Sequence, residues 1–309
     1  MGLPTLNKIK MKHIAIIISL ILVLFSTKLN AQDNLDDLLN SAVPEPINYA
    51  SATFKATRIV NGQSIERMPQ GQMDVRIHHR FGKVNTGFKD FYGIDNATTH
   101  IGIEYGITDW IMVGYGRGTF EKTFDGFFKL SLLRQSSGGK NMPVSLSYLS
   151  TIADKTGDYP KNNNLYPTSS RLTYVNQVLV ARKFNSNVSF QLSPTIIHYN
   201  LVATAVDPNN VFAMGFGGRM KVTNRVSLNA EYFYCYDPGY GPIQYHDNFS
   251  VGIDIETGGH VFQLIFSNGQ GMIEKDFIGH TTGQWNKGDI HFGFNISRVF
   301  DINHHVSGK

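Results

Sequence analysis

Between Gln70 and Phe300 the chain is written in twos. Ile101, Ile103, Tyr105 and Ile107 alternate with Gly102, Glu104 and Gly106. Beyond a tight turn at Thr108-Asp109, Ile111, Val113 and Tyr115 alternate with Gly114, Gly116 and Gly118. Successive side chains of an extended strand leave on opposite faces, so this period specifies β-strands. A lone hairpin cannot bury its apolar face. The pattern recurs near 70–82, 97–107, 110–120, 125–134, 143–153, 171–183, 188–200, 211–223, 226–236, 248–256, 260–268 and 289–300. That makes about twelve strands, each of the length that a tilted strand needs to cross a bilayer. Pro194 interrupts one run and predicts a bulge or a strand end.

The connections sort by parity. Lys83–Asn96, Asp154–Ser170, Leu201–Asn210, Asp237–Asp247 and Gly269–Gly288 are long. Between them lie the tight turns Thr108-Asp109, Phe184–Asn187, Asn224-Arg225 and Thr257–Gly259, while Glu121–Phe124 and Gln135–Met142 contrast less. An up-and-down transmembrane barrel has short periplasmic turns and long outer loops. A soluble sandwich has no reason to sort its loops this way. The expected fold is therefore all-β: an antiparallel barrel of about twelve strands over 70–300, in a cell outer membrane. An even strand count returns both ends of the barrel to the periplasm.

The faces agree with that placement. Phe249, Val251, Ile253 and Ile255 oppose Ser250, Gly252, Asp254 and Glu256. The polar faces carry Asp74, Arg76, His78, Arg80, Glu104, Arg219, Lys221, Glu231 and Asp254. Charge is costly against a dry sandwich core, but not in a wet or mutually paired lumen. Trp110 at a short turn, and Tyr232, Tyr234, Tyr236, Tyr240 and Tyr245 toward a long loop, fall where interfacial aromatic girdles belong.

The amino terminus is of another kind. Lys8, Lys10 and Lys12 precede the apolar run 14–25, and Ala31 precedes Gln32. This is the pattern of an export signal over 1–31, and the run is short for a membrane span. Net charge is +4, from 28 basic and 24 acidic residues. The signal holds four lysines (Lys8, Lys10, Lys12, Lys28) and no acid, leaving 24 against 24. A neutral mature chain offers nucleic acid no electrostatic footprint. The single cysteine, Cys235, rules out an intramolecular disulfide framework and reads as a buried thiol. Residues 32–69 lack the strand rhythm; 34–41 has the makings of a short helical turn, and 53–60 alternates weakly before Asn61-Gly62. This stretch reads as a periplasmic segment or a plug, and 301–309 as a polar tail.

The order of F-K-A-T-R-I-V-N (54–61), H-H-R-F-G (78–82), F-Y-G-I-D-N-A (91–97), Y-G-I-T-D (105–109), G-Y-G-R (114–117) and K-T-F-D-G-F-F-K (122–129) resembles a family of membrane-bound β-barrels of unknown function from Bacteroidetes-type bacteria. P-V-S (143–145) and F-S-N-G-Q-G-M (266–272) extend the likeness over most of the mature chain. The resemblance implies the fold and the outer membrane, and it carries over no functional residue.

Catalytic and metal patterns fail on inspection. F-S-N-G (266–269) echoes the serine motif of outer-membrane phospholipases, but Ile265 stands where that motif has its histidine base. His78 and His79 are adjacent on a strand and point apart, so they cannot chelate one ion together. His304-His305 lies in the tail, and His246 and His280 lie in expected outer loops. Gly114–Gly118 lacks the strand-to-helix setting of a phosphate loop. Neither an enzyme nor a cofactor is expected.

Instead Gly102, Gly106, Gly114, Gly116 and Gly118, with Glu104 among them, predict a bare inner wall. Glycine weakens a strand, so the space has a use: an open lumen, or a groove for another backbone. One expectation is that 53–60 docks there, with Lys55 or Arg58 near Glu104; a periplasmic linker is the other. Eight strands fill with side chains and 16–18 leave a channel, so about twelve permits a narrow pore or a closed barrel. The leading function is passive small-solute transport through the lumen, lined by Arg76, His78, Gly102, Glu104, Gly106, Gly114, Gly116, Gly118, Arg219, Glu231 and Asp254. The alternative is a closed scaffold whose outer loops, Asp154–Ser170 and Gly269–Gly288 above all, bind a partner. The expected partners are the bilayer and the barrel-assembly machinery, which would read Phe300 at the end of the last strand.

Overall fold

A computed structural model describes residues 45–157, 167–236 and 241–302. The export signal, the short stretch at 34–41, Tyr240 and His304-His305 lie outside the described residues. Strands β2 (Gln72–Lys83), β3 (Thr98–Gly106), β4 (Ile111–Gly118), β5 (Thr123–Leu133), β7 (Ser145–Lys155), β8 (Leu172–Lys183), β9 (Val188–Tyr199), β10 (Asn210–Lys221), β11 (Val226–Cys235), β12 (Asn248–Thr257), β13 (His260–Ser267) and β14 (His291–Asp301) pair antiparallel with their neighbours. β14 pairs with β2, and the twelve strands form a closed barrel without a free edge. Each alternating run became one strand, because only closure satisfies every ladder in a membrane. β1 (Ile47–Tyr49) and β6 (Ser136–Gly138) form a separate two-stranded sheet at the short-turn end.

The two faces divide as the alternation predicts. Ile101, Ile103, Tyr115, Phe128, Phe212, Leu228 and Phe262 are exposed on the outside. Asp74, Arg76, His78, His100, Glu104, Arg219, Glu231 and Asp254 are buried inside. Trp110 is exposed at one rim, and Tyr232, Tyr234 and Tyr236 toward the other.

Two expectations about chain path need correction. Pro194 neither ends nor bulges its strand: it sits inside β9, opposite Met214, with an unshifted register. The missing N–H is felt only toward β8, where the recorded pairs pass from Gln177 with Thr195 to Val180 with Leu192. The second concerns the longest loop, expected at the surface. Its residues 271–279 are buried, because the loop turns back into the barrel and forms a helix, α1 (Glu274–Gly279).

Candidate functional site: a lumen filled from both ends

From the short-turn end, residues 53–65 rise into the barrel and return. Ile59 N–H donates to the Gly62 carbonyl at 2.8 Å, and Ser64 N–H to the Thr57 carbonyl at 2.8 Å. Arg58 and Gln63 form an antiparallel bridge, making a narrow hairpin with Asn61-Gly62 at its tip. The Glu231 carboxylate on β11 grips that tip. It accepts the backbone N–H groups of Val60, Asn61 and Gly62 at 3.2, 2.8 and 3.0 Å. The Asn61 side chain donates to Ser250 Oγ at 2.8 Å and accepts from Arg80 at 2.8 Å. A buried turn leaves backbone donors that need partners, and the wall supplies a charged one.

The hairpin flank meets β2 and β3. Thr57 Oγ1 donates to Glu104 at 2.5 Å and accepts from Arg76 at 2.7 Å, while Arg76 also pairs with Asp74 at 2.6 Å. Arg58 Nε stands 4.0 Å from Glu104. Lys55 does not reach Glu104; it pairs with Glu256 at 2.6 Å, near the short-turn rim where its ammonium stays partly exposed. Lys129 on β5 donates to the carbonyls of Ser64 and Glu66 at 3.0 and 2.8 Å. Arg219 donates to the Ala52 carbonyl at 3.0 Å, and Asp254 accepts from Gln263 at 2.9 Å. Phe54, Ile59, Val60 and Ile65 share one apolar cluster with Leu149, Leu179, Ala181 and Ile265 of the wall.

The glycine wall is not the open part of the lumen. A Cβ at Gly114 would strike the Phe127 ring, one at Gly116 the His100 ring, and one at Gly106 the Pro69 and Met68 carbonyls. Gly102 and Gly118 also lie against His100. The strands gave up side chains to admit two rings from the inner face and the returning backbone of the hairpin. The void left beside Glu104, Gly102, His78 and Arg76 measures about 10 Å3, room for one water.

α1 closes the other end. Phe277 meets Phe233 edge-on at 5.3 Å, and Cys235 Sγ donates to the Ile278 carbonyl at 2.9 Å. The Tyr199 hydroxyl donates to the Lys275 carbonyl at 2.7 Å. Lys275 pairs with Asp276 at 2.5 Å and with Glu121 at 2.8 Å; Glu121 in turn holds Lys155 at 2.5 Å. Burial alone would raise Glu121, but Lys275 and Lys155 outweigh it and hold the carboxyl near 2. Burial pushes Asp276 up to about 6 and His280 down to about 4. The two fillers touch: Arg58 of the hairpin pairs with Glu274 of α1 at 2.5 Å, both buried.

The alternation could not reveal α1 or Glu121, whereas Lys129, of opposite parity to Phe128, Leu130 and Leu132 on β5, was open to it. A signal for α1 was present, since Met272-Ile273 and Phe277-Ile278 form an apolar pair of pairs at helical spacing in a loop otherwise expected to face water. Among the described residues the buried charges balance: Arg58, Arg76, Arg80, Lys129, Arg219 and Lys275 against Asp74, Glu104, Glu231, Asp254, Glu274 and Asp276. Phe300 lies on the outer face of β14, opposite Met73 and under the Arg298 guanidinium at 5.0 Å. His280 is half-buried and stacks on Tyr199, and no group of three His, Cys, Asp or Glu suited to a metal occurs among the described residues. Ser267 Oγ accepts from Asn248 at 3.2 Å, from Ser250 at 2.8 Å and from the Gly269 N–H at 3.0 Å.

A closed barrel with an apolar exterior agrees with the family that the sequence matches. The chain belongs to the membrane-bound β-barrel domain family DUF5777, whose pattern matches residues 54–300. The match includes the inner hairpin as well as the barrel. No curated protein matches the sequence. Among solved structures, the NanC porin is similar over 74% of this chain and 98% of its own, at 8% identity and a TM-score of 0.46. An outer-membrane channel from Pseudomonas putida F1 is similar over 76% and 98%, at 14% identity and 0.44. The KdgM porin in complex with disordered oligogalacturonate is similar over 74% and 99%, at 8% identity and 0.45. Likeness at this level says nothing about cargo.

Proposed function

We propose that this family member is a passive outer-membrane channel for small, uncharged or zwitterionic solutes, closed in the described state by the hairpin 53–65 and by α1. The observation that carries the reading is the inner wall. It is polar and charged around its circumference, and its buried cations and acids are equal in number. A balanced lumen has no strong preference for either sign of ion. In this reading Arg76, His78, Glu104, Arg219, Glu231 and Asp254 line the path once the fillers move, and Lys55 and Arg58 belong to the plug. Phe300 serves as the recognition residue for the barrel-assembly machinery. Phe300→Ala is expected to lower insertion more than removal of 301–309, and equal insertion of both variants would refute that role.

Planar-bilayer recording tests the channel. Discrete conductance steps from the purified chain, enlarged when the fillers are replaced by Gly-Ser linkers, support it. Silence from the wild type and from the chain lacking both fillers refutes it and favours the second reading, a closed scaffold. A specific observation favours that alternative too. The loop 84–96 exposes Phe88, Phe91, Tyr92 and Ile94, the first at 78%, and holds Phe91 and Tyr92 at φ of 44° and 56°. Exposed aromatics on a strained loop suit a partner surface better than the buried 271–279 segment does.

A further inference from the structure

At the long-loop end, a cavity of about 300 Å3 opens above α1, lined among others by Tyr199, Tyr245, His280, Lys155, Glu121 and Lys275. That is the lower end of the size range of small-molecule sites. Its central feature is a stack of three rings. His280 lies 4.4 Å from Tyr199 at an interplanar angle of 16°, and 4.7 Å from Tyr245 at 25°. The inner tyrosine is anchored through its hydroxyl to the Lys275 carbonyl at 2.7 Å, and the outer one comes from the loop before β12. Two tyrosine rings, each stacked on the same imidazole, mark out an aromatic slot.

The imidazole filling that slot is held by stacking: among the described residues only its backbone N–H is bonded, to the Asp276 carbonyl at 2.9 Å. A ring without hydrogen-bonded edges is the most readily exchanged group in this wall. The charged groups around it already have partners. Lys275 and Lys155 share Glu121, Arg171 pairs with Asp154 at 3.0 Å, and Asp207 accepts from Thr204 and Gly241. A charged ligand would have to break one of these pairs, whereas an uncharged planar ring need only replace His280.

We propose that the Tyr199–Tyr245 slot is a binding site for small, uncharged heteroaromatic rings, with His280 as its built-in competitor. This names a solute class for the channel reading and rests on it for its transport role, though not for binding itself. Because His280 directly follows α1, a ligand that takes the slot removes one of the contacts holding that helix in the lumen.

Competition gives the test its sign. The apparent affinity is reduced by the fraction of molecules whose slot is free, so removing the competitor strengthens binding. Calorimetry on the full chain in detergent would use uracil as the probe. Dihydrouracil, with the same polar groups on a puckered ring, is the control. The expected results are saturable uracil binding, dihydrouracil at least about tenfold weaker, Tyr245→Leu weaker by about tenfold, and His280→Ala tighter by about fivefold. Weaker uracil binding by a folded His280→Ala chain, equal affinity for both probes, or no saturable binding in any variant overturns the proposal. Heat-modifiable mobility identifies folded barrel. If His280→Ala fails that check, Tyr245→Leu decides alone, and unchanged uracil affinity in it is the overturning result. The two readings fail separately: conductance without ring binding sinks this proposal only, and ring binding without conductance sinks the channel only.

Discussion

Two pieces of chain fill one barrel, and they are held differently. The hairpin 53–65 is threaded along the wall. Its tip gives three N–H groups to Glu231, its return strand takes two bonds from Lys129, and its apolar residues merge with those of β7, β8 and β13. α1 is a lid by contrast. It leans on Phe233 and Tyr199, its Lys275 pairs with Glu121 of the loop before β5, and its Glu274 meets the hairpin at Arg58. Cavities of about 300 and 240 Å3 lie beside it, against about 10 Å3 beside the hairpin flank. A segment packed to that density opens only with cooperative loss of many contacts, and one bordered by open space needs fewer. The hairpin is thus the more tightly held filler and α1 the more loosely held.

The strongest way to break this comparison is to remove the fillers. They stand in series, so replacing 55–65 and 271–281 together is expected to raise single-channel conductance by about tenfold, with either replacement alone giving much less. A hairpin replacement that equals the double would show that α1 does not occlude. Next in size is the pair that joins them. Arg58→Met leaves Glu274 as an uncompensated buried charge and is expected to cost about 3–5 kcal/mol in denaturant-detected unfolding. Combining it with Glu274→Leu should recover most of that loss. Glu231→Ala strips the partner from three buried N–H groups and should cost about 3 kcal/mol, with Glu231→Gln milder because an acceptor remains. Equal losses for both substitutions would show that the tip does not depend on an acceptor there.

The smallest effect is a pH dependence confined to α1. Burial holds His280 down to about 4, so the neutral ring contributes fully above its ordinary 6.5 and that contribution is lost as pH falls through 4. Glu121, held near 2, acts in the same direction: its contribution is present above 4.5 and lost toward 2. Asp276, raised to about 6, opposes both, contributing most below 3.8 and losing that as pH rises through 6. Hydrogen exchange over 273–281, corrected for intrinsic rates, should show opening about tenfold more frequent at pH 4 than at pH 7, reduced in His280→Asn. The amides of 57–64 should show no such His280-dependent change. If they follow it, the two fillers move as one.

Most of the barrel was legible because a membrane imposes two strict patterns. Alternation over Ile101–Ile107 and Phe249–Glu256 marks which face meets lipid, and loop length marks which end meets the periplasm. Glu104, Arg76 and Arg58 were legible as charges in need of partners. Of the two cations expected near Glu104, Arg58 stands 4.0 Å from it and Lys55 does not reach it. Lys55 found Glu256 rather than Glu104, because the hairpin enters at the rim beside β12, and Thr57 and Arg58, further toward the tip, are the residues that rise to Glu104 on β3. The glycine face was read as emptiness, since sequence shows the missing Cβ of Gly114 and Gly116 and not the Phe127 and His100 rings that lean across strands to fill the space.

By itself, then, the sequence determined strand number and which face of each strand points inward, both of which follow from local periodicity and the need to satisfy every backbone group in lipid. Tertiary structure alone decided whether the barrel is empty. That depends on long-range meetings between residues with no local signature: Arg58 with Glu274, Asn61 with Glu231, Tyr199 with Lys275. Alternation says that a polar side chain points inward. Only the closed barrel brings a second segment within reach of it, and there the cost of an unpartnered buried charge selects the pairing.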